Sequence, residues 1–368
     1  MQINVTRPYL PKQEEFDEII KGIWKNNWLT NNGPLVQSLQ KKLQEFLKVT
    51  TLHLTVNGHT ALETALSAYQ LKGKVITTPF TFASTTHAIV RQGLVPVYCD
   101  IRSDDFTIDP DKIESLIDSD TCAIVPVHVY GHPCKVEQIK KIAEKYNLKV
   151  IYDAAHSFGV RYKEKSLCDY GNSSILSFHA TKLFNTIEGG AIISHDPDYS
   201  KRVEELKNYG IISETEVVLP GGNAKMNEFQ AAMGLANLKN IYEIMIERRK
   251  ITLLYRKLLN EIRGITYFVP ENDDVVYNYS YMPIIVKPEE YGISRDKLYE
   301  RLKSIGINCR RYFYPLTSEF SCYKNGAIGN TPIAHEISMN VLTLPLYNGL
   351  SLDDVELICD QIRKNSKQ

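Results

Sequence analysis

The sequence lacks the features that mark several large classes of protein. Neither charge is in excess, because 43 lysines and arginines face 43 aspartates and glutamates. The clustered positive charge of nucleic-acid and anionic-membrane proteins is therefore missing. No apolar run approaches the roughly 20 residues of a membrane span, and the opening MQINVTRPYLPKQEEF has no apolar segment typical of a secretion signal. We expect a cytoplasmic protein with no nucleic-acid or membrane partner.

The cysteine spacing gives no sign of disulfide bonds or of a metal site. The seven cysteines are scattered, and no two form a C-x-x-C pair, which argues against a disulfide framework and a zinc knuckle. His128 and His132 are a possible metal pair, but a strand running into a turn does not place them on one face. We therefore expect no metal site. The sequence also shows no internal repeat, which argues against solenoid and propeller folds.

The composition that is present suits a globular chain of about two domains. The 368 residues are 43% hydrophobic and 23% charged, close to the typical values of about 45–50% and about 25%. The pattern of apolar residues changes near residue 240. We therefore predict a large domain over residues 1–240, which would bind a cofactor as argued below, and a small C-terminal domain over residues 241–368.

The large domain is predicted to be an α/β sandwich. Two amphipathic helices occupy the first 50 residues, and short apolar runs then alternate with helical patterns as far as residue 195. Buried strands with crossover helices give a mostly parallel sheet covered on both faces. The predicted strands are Lys74–Thr78, Leu94–Cys99, Cys122–Val127, Leu148–Tyr152, Ser174–Phe178 and Ala191–Ser194.

The C-terminal part is predicted to be a smaller α+β domain. A long helical pattern runs over Ile241–Ile262, and an alternating strand over Tyr277–Tyr281 leads into Pro283–Val286. Further helices are predicted to begin near Ser294 and at Ser351, where a serine precedes an acidic residue at capping distance.

Three residues that could carry chemistry fall at predicted strand ends, where open α/β sheets bind ligands. Asp153 follows one strand, Ser177 ends the next, and Lys182 lies five residues later, before the glycine pair Gly189–Gly190. Taken singly, an aspartate at a strand end is often a helix cap, and a lone lysine is usually solvated. The combination at one edge favours a functional role for both.

Two further features complete a possible cofactor site. The segment Asn57–Leu62 lies at a predicted helix N-terminus, where free N–H groups favour a phosphate, and Phe82 lies just beyond another strand. Together these features fit pyridoxal 5′-phosphate (PLP). Lys182 would bond to its aldehyde, Asp153 would pair with the pyridine nitrogen, Phe82 would stack on the ring, and Ser177 would help to hold the phosphate.

Seven motifs occur in the order in which one known family has them. The chain resembles the DegT/DnrJ/EryC1/StrS family of PLP-dependent nucleotide-sugar aminotransferases over roughly residues 5 to 350. The resemblance implies the aspartate aminotransferase (type I PLP) fold, a mostly parallel central sheet sandwiched by helices with a smaller C-terminal α+β domain. It also implies activity on nucleotide-linked keto-sugars. The motifs are NGHTAL, PFTFAS, VPVHVYGHP, YDAAHSFG, SFHATK, EGGA and GGNAKMNEFQAAMG.

The resemblance assigns the residues around the cofactor ring. Lys182 would form the internal aldimine and shuttle the proton, which makes it catalytic together with Asp153 at the pyridine nitrogen. His156 stands where many members have glutamine, and would reach the ring hydroxyl. Phe82 would stack on the ring.

The resemblance also assigns the phosphate site. Gly58, His59 and Ser177 would bind the phosphate, although His59 replaces the usual threonine. If only backbone N–H groups act there, little changes; if a hydroxyl is needed, Thr60 would supply it. Asn223 would reach the phosphate of the neighbouring subunit, so the resemblance implies a homodimer with composite active sites.

The first 45 residues are most similar to family members that use L-glutamate to aminate C4 of dTDP-4-keto-6-deoxyglucose, the viosamine-type enzymes. The product would enter surface polysaccharide or glycan synthesis. Amination at C3, or the galacto epimer, stays open as an alternative. A dehydratase of the same fold would have histidine in place of Lys182. A regulatory DNA-binding protein would need a helix-turn-helix that is not recognisable here.

Overall fold

The structure is a computed structural model that describes residues 2–323 and 325–367. Its strands are β1 (Leu52–Thr55), β2 (Lys74–Thr77), β3 (Val95–Tyr98), β4 (Thr121–Val125), β5 (Lys149–Asp153), β6 (Arg161–Tyr162), β7 (Lys165–Ser166), β8 (Ser173–Ser177), β9 (Gly190–Ser194), β10 (Ile265–Thr266), β11 (Val275–Val276), β12 (Met282–Val286) and β13 (Val341–Leu344). Its α-helices are α1 (Gln13–Asn26), α2 (Pro34–Leu47), α3 (Gly58–Ala68), α4 (Ala83–Arg91), α5 (Pro110–Ile113), α6 (Val136–Tyr146), α7 (Pro197–Lys207), α8 (Glu228–Lys239), α9 (Ile241–Leu259), α10 (Pro288–Tyr291), α11 (Arg295–Ser304), α12 (Pro332–Asn340) and α13 (Leu352–Lys364).

The largest sheet in the described chain has seven strands in the order β1-β9-β8-β5-β4-β2-β3. Strands β2, β3, β4, β5 and β8 pair in parallel, whereas β9 is antiparallel to both its neighbours, β8 and β1. The predicted, mostly parallel sheet is confirmed. Because β9 alone is reversed, the carboxyl ends of the other strands meet at one edge, and the β8–β9 loop lies at that edge too.

Polar side chains begin several helices where the sequence indicates a start. Asp109 caps α5, which is only four residues long, and Ser294 and Ser351 cap α11 and α13. Asn227 and Gln230 form a reciprocal capping box at the start of α8. In the part of the chain that the structure describes, no helix is both long and apolar enough to cross a membrane.

The two predicted N-terminal helices are α1 and α2, and the start of α2 is held by a side chain of α8. Glu228 is buried, and its carboxylate oxygens accept the N–H groups of Leu35 and Val36, each at 2.9 Å. The negative charge of Glu228 is favourable at the N-terminus of α2. Whereas α2 buries an apolar face, α1 leaves the Trp24 side chain 65% exposed.

A separate hydrophobic core lies in the C-terminal part of the chain. Strands β10, β12 and β13 form a three-stranded sheet among the described residues, and its core consists of side chains between residues 251 and 362 together with Ile3. The hairpin of β6 and β7 pairs with β11 in a third, small sheet. The separate core supports our division into residues 1–240 and 241–368, which stays a proposal.

The predicted strand over Tyr277–Tyr281 is wrong. The segment is irregular backbone between β11 and β12, and Tyr279 has a left-handed φ of 54°. The Asn278 side chain donates to the carbonyl of His156 at 2.9 Å. Side chains of this segment are therefore held by separate hydrogen bonds to loops of the large sheet and to α9, and the backbone is not held by a ladder.

Candidate active site

The carboxyl ends of four strands bring the predicted residues to one edge of the large sheet. Gly58 follows β1, Phe82 follows β2, Asp153 ends β5 and Ser177 ends β8, while Lys182 lies in the loop between β8 and β9. This is the edge at which open α/β sheets bind ligands. The fold therefore assembles residues that are more than 100 positions apart in the sequence.

Asp153 is a buried carboxylate with both oxygens engaged. Its Oδ2 accepts the Thr85 hydroxyl at 2.8 Å, and its Oδ1 accepts the N–H of Ala155 at 3.1 Å. Burial raises the pKa of Asp153, whereas these two hydrogen bonds and the charge of Lys182 oppose the rise. Each carboxylate oxygen can accept more than one donor, so a cationic N–H group at this position would stabilise the charged form.

His156 is buried beside Asp153 and is held as a neutral ring. Burial lowers its pKa well below the usual value, and the charge of Lys182 lowers it further. The backbone N–H of Tyr130 donates to His156 Nδ1 at 3.0 Å. The proton of the neutral ring is therefore on Nε2, which makes His156 a hydrogen-bond donor at that atom.

The start of α3 forms a cradle that only glycine permits. A Cβ atom on Gly58 would lie 2.7 Å from Ser177 Cβ and 3.0 Å from Ser177 Oγ. The Ser177 hydroxyl can therefore lie next to the first turn of α3, whose initial N–H groups have no partner within the helix. N–H groups, a hydroxyl and the positive end of the helix dipole suit a phosphate.

Two predicted phosphate ligands are already engaged through other atoms. The Thr60 N–H donates to the Asn57 side chain at 2.8 Å, which caps α3. The His59 ring is bonded to Ser84 Oγ at 2.8 Å through Nδ1, and its Nε2 lies 3.4 Å from Glu63 Oε1. The His59 side chain is therefore engaged, and its backbone N–H is the group that it has to offer a phosphate; this role stays a prediction.

Phe82 and Lys182 both project from loops at this edge. The Phe82 ring is 59% exposed, although Phe80 two residues earlier is fully buried. Lys182 Nζ donates to the hydroxyl of Tyr281 at 3.1 Å. An exposed ring and a partly buried amine are what a stacked, lysine-bound cofactor requires.

Asn223 is next in sequence to a residue that contacts the segment leading into the cradle. The next residue, Ala224, accepts the N–H of Val56 at 2.8 Å, just before the start of α3. The Asn223 side chain itself is exposed. Its predicted reach to the phosphate of a second subunit stays a prediction.

The residues present fit PLP. The Gly58 cradle matches its phosphate, the buried Asp153 matches a protonated ring nitrogen, and Nε2–H of His156 matches a ring oxygen. Lys182 supplies an amine with a single hydrogen-bond partner in the described chain, the hydroxyl of Tyr281. The individual roles of these residues stay predictions.

Sequence reasoning missed two side chains that touch this site. Thr85 donates to Asp153, and its position three residues after Phe82, in the first turn of α4, was a usable signal. Tyr281 bonds to Lys182, but it falls in the segment that we predicted as a strand. Nothing in the local sequence indicates that contact.

The histidine pair at residues 128 and 132 has structural partners. His128 accepts the N–H of Cys134 at 3.1 Å and stacks on Tyr152, while His132 Nδ1 lies 2.9 Å from the carbonyl of Asp105. Burial lowers the pKa of His128 to about 3 and that of His132 to about 4. Both rings therefore act as neutral packing groups near neutral pH.

Known proteins are similar to this chain over most of its length. The model of the DegT/DnrJ/EryC1/StrS aminotransferase family matches residues 11–363. The chain is 45% identical over 363 residues to a dTDP-4-amino-4,6-dideoxy-D-glucose transaminase of Shigella dysenteriae, covering 98% of each chain. It is 47% identical over 355 residues to the Escherichia coli protein of the same name, covering 95% of each.

Solved structures of aminotransferases superpose closely on this chain. The structure of DesI in the presence of its TDP-sugar product superposes with a TM-score of 0.95 at 31% identity, covering 99% of this chain and 92% of that one. The Helicobacter pylori aminotransferase PseC gives a TM-score of 0.92 at 25% identity, covering 100% and 99%. The predicted type I aminotransferase fold is confirmed.

Proposed function

The chain belongs to the DegT/DnrJ/EryC1/StrS aminotransferase family and is therefore a PLP-dependent aminotransferase, and we propose that it transfers an amino group from L-glutamate to C4 of dTDP-4-keto-6-deoxy-D-glucose. The product would be dTDP-4-amino-4,6-dideoxy-D-glucose, for use in surface polysaccharide or glycan synthesis. All seven cysteines are unpaired, which supports the cytoplasm as the compartment.

One observation carries the choice of substrate. Two relatives that align with the chain over 95% or more of both lengths, at 45% and 47% identity, carry the name of this C4 transaminase. Lys182 at the end of SFHATK argues against the dehydratase alternative, because those enzymes would have histidine there.

The ring-binding residues prepare the cofactor for its chemistry. PLP, when bound, withdraws electrons and so acidifies the proton on the α-carbon of an amino acid. Asp153 would hold a proton on the ring nitrogen, since a buried carboxylate stabilises an adjacent cation. His156 Nε2–H would donate to the ring oxygen, and Phe82 would cover one face of the ring and exclude water from it.

Lys182 would hold the cofactor between reactions and carry the proton during each one. When its amine is free, Lys182 would remove the α-proton of the donor amino acid as a general base. General acid–base catalysis of this kind is typically worth about 10²–10⁴-fold. The keto-sugar would use the same site afterwards, with Lys182 returning the proton, so the mechanism would be ping-pong.

We also propose that the active unit is a homodimer. Exposed apolar side chains occur on the loop that precedes Asn223 and on the N-terminal segment, and patches of exposed apolar side chains commonly mark interfaces. The exposed members are Leu10, Trp24, Trp28, Leu29, Tyr209, Ile211, Ile212, Val217 and Val218. A second copy covering them would bring each Asn223 towards the phosphate site of the other chain.

Subunit mixing tests the composite site. If Asn223 serves the neighbouring chain, Lys182→Ala and Asn223→Ala subunits should complement one another when mixed. One site of each heterodimer then carries both changes and the other carries neither, so each heterodimer should regain about half of the normal sites. Steady-state turnover after verified subunit exchange measures this. An absence of recovery would place Asn223 in its own site or outside any site.

The sugar assignment has a direct test in the product. Position and stereochemistry depend on how the sugar lies over the cofactor, and the loops Trp28–Pro34 and Arg310–Tyr314 are our candidates for holding it. After incubation with PLP, L-glutamate and dTDP-4-keto-6-deoxyglucose, proton NMR should show large H3–H4 and H4–H5 couplings, as an equatorial 4-amine requires. Small H4 couplings would indicate the galacto epimer. Turnover of only the 3-keto isomer would overturn the C4 assignment.

A further inference from the structure

Tyr281 is placed to control the amine of Lys182. It comes from the irregular segment that joins β11 to β12, in the C-terminal part of the chain, whereas Lys182 lies in the β8–β9 loop of the large sheet. Its hydroxyl accepts a hydrogen bond from Lys182 Nζ at 3.1 Å. Among the residues that the structure describes, it is the only hydrogen-bond partner of that amine.

The Tyr281 ring is fixed from several sides. Its centroid lies 4.8 Å from the His156 ring and 5.7 Å from the Tyr130 ring, and Tyr312 meets it edge to face at 6.2 Å. Pairs of rings at such separations are attractive. The hydroxyl is therefore held at a defined position beside the ring that is predicted to contact the cofactor oxygen.

The backbone next to Tyr281 is held by a buried cation. Arg248 of α9 is 2% exposed, and it donates to the carbonyl of Ser280 at 3.3 Å and to the Asn348 side chain at 2.9 Å. Asn278 anchors the same segment to the carbonyl of His156. These contacts give the segment little freedom to move away from the site.

We propose that Tyr281 is a positioning residue that holds the Lys182 amine whenever that amine is not bonded to the cofactor. A hydroxyl can accept from an ammonium group and can donate to a neutral amine, so Tyr281 can hold Lys182 both before and after it takes up a proton. Without it, a four-carbon side chain would sample many rotamers. The proposal rests on the assignment of Lys182 made above.

The Tyr281→Phe variant removes the hydroxyl and keeps the ring. We expect kcat with L-glutamate to fall about 10- to 100-fold while KM changes less than about threefold, since the lost contact acts on the freed lysine. The deuterium isotope effect with α-deuterated glutamate should rise at least about twofold, because proton transfer becomes more rate-limiting. Tyr279→Phe is the matched control. Tyr279 lies in the same segment as Tyr281, but its hydroxyl bonds to Arg249 instead of Lys182.

A second measurement does not depend on turnover. In enzyme loaded with pyridoxamine 5′-phosphate, Lys182 is free, and reductive methylation followed by peptide mass spectrometry reports how well it is held. We expect Lys182 to be methylated several times faster in Tyr281→Phe than in the wild type or in Tyr279→Phe.

The outcomes separate this inference from the proposed function. A Tyr281→Phe enzyme with wild-type kcat, isotope effect and methylation rate would overturn the role of Tyr281 alone. An equal loss of activity in both variants, with equal loss of thermal stability and no change in isotope effect, would also overturn it and indicate a structural role. If the cofactor proves to be attached elsewhere than Lys182, the proposed site itself fails.

Discussion

Replacing Lys182 with alanine should abolish turnover. The variant loses both the amine that would bond to the cofactor and the base that would move the proton, so we expect kcat to fall by at least about 10⁴-fold. The visible absorbance of lysine-bound PLP should disappear with it. Turnover assays and absorbance spectra of the purified protein measure both effects.

The control is another lysine on the surface. Lys140 of α6 has a side chain that is 73% exposed, and Lys140→Ala should keep both turnover and absorbance. If Lys182→Ala retains the visible band, or a borohydride-reducible adduct on another lysine, then Lys182 is not the attachment point.

Replacing Asp153 with asparagine should slow the reaction strongly while the cofactor still binds. Asparagine keeps the shape of the carboxylate but not its charge, so the ring nitrogen loses the group that keeps it protonated. We expect kcat to fall by about 10²–10³-fold or more, the usual effect of removing one electrostatic group aimed at a reacting centre. Stopped-flow absorbance of the glutamate half-reaction measures the rate, and equilibrium dialysis measures PLP binding.

A buried carboxylate elsewhere provides the matched control. Asp105 is 5% exposed, and burial raises its pKa as it does that of Asp153. In the described chain its carboxylate bonds to Thr107 and pairs with Arg102 and Lys135, and it has no hydrogen bond to Asp153, His156 or Lys182. Asp105→Asn should leave kcat within about twofold, because a substitution that touches no reacting group affects chiefly stability. Near-normal turnover in Asp153→Asn would contradict a catalytic role for Asp153. Its role would then be structural, holding the start of α4 and the end of β5 in place.

The sequence predicts the site well where strand ends define it. Asp153, Ser177 and Gly58 could be placed together because parallel strands bring their carboxyl ends to one edge, and apolar runs mark those strands clearly. Even the glycine requirement has a simple cause, since a Cβ on Gly58 would meet Ser177 at 2.7 Å.

The parts that could not be predicted depend on contacts between distant segments. The aromatic alternation over Tyr277–Tyr281 looks like a strand, but Tyr277 and Asn278 bond to loops of the large sheet and Tyr279 bonds to α9. Tyr281 enters the site only because of that packing. The proposed role of Asn223 requires a second copy of the chain, and the loops proposed to orient the sugar have no regular pattern.

The most direct test of the account is to locate the cofactor on the wild-type chain. The enzyme is reduced with borohydride in the presence of PLP, digested with trypsin and analysed by mass spectrometry. Attachment at Lys182 blocks cleavage there, so the account predicts a single modified peptide running from Ser166 to Lys201. A modified peptide that lacks Lys182, or unmodified cleavage at Lys182 after complete loading, would contradict the site described here.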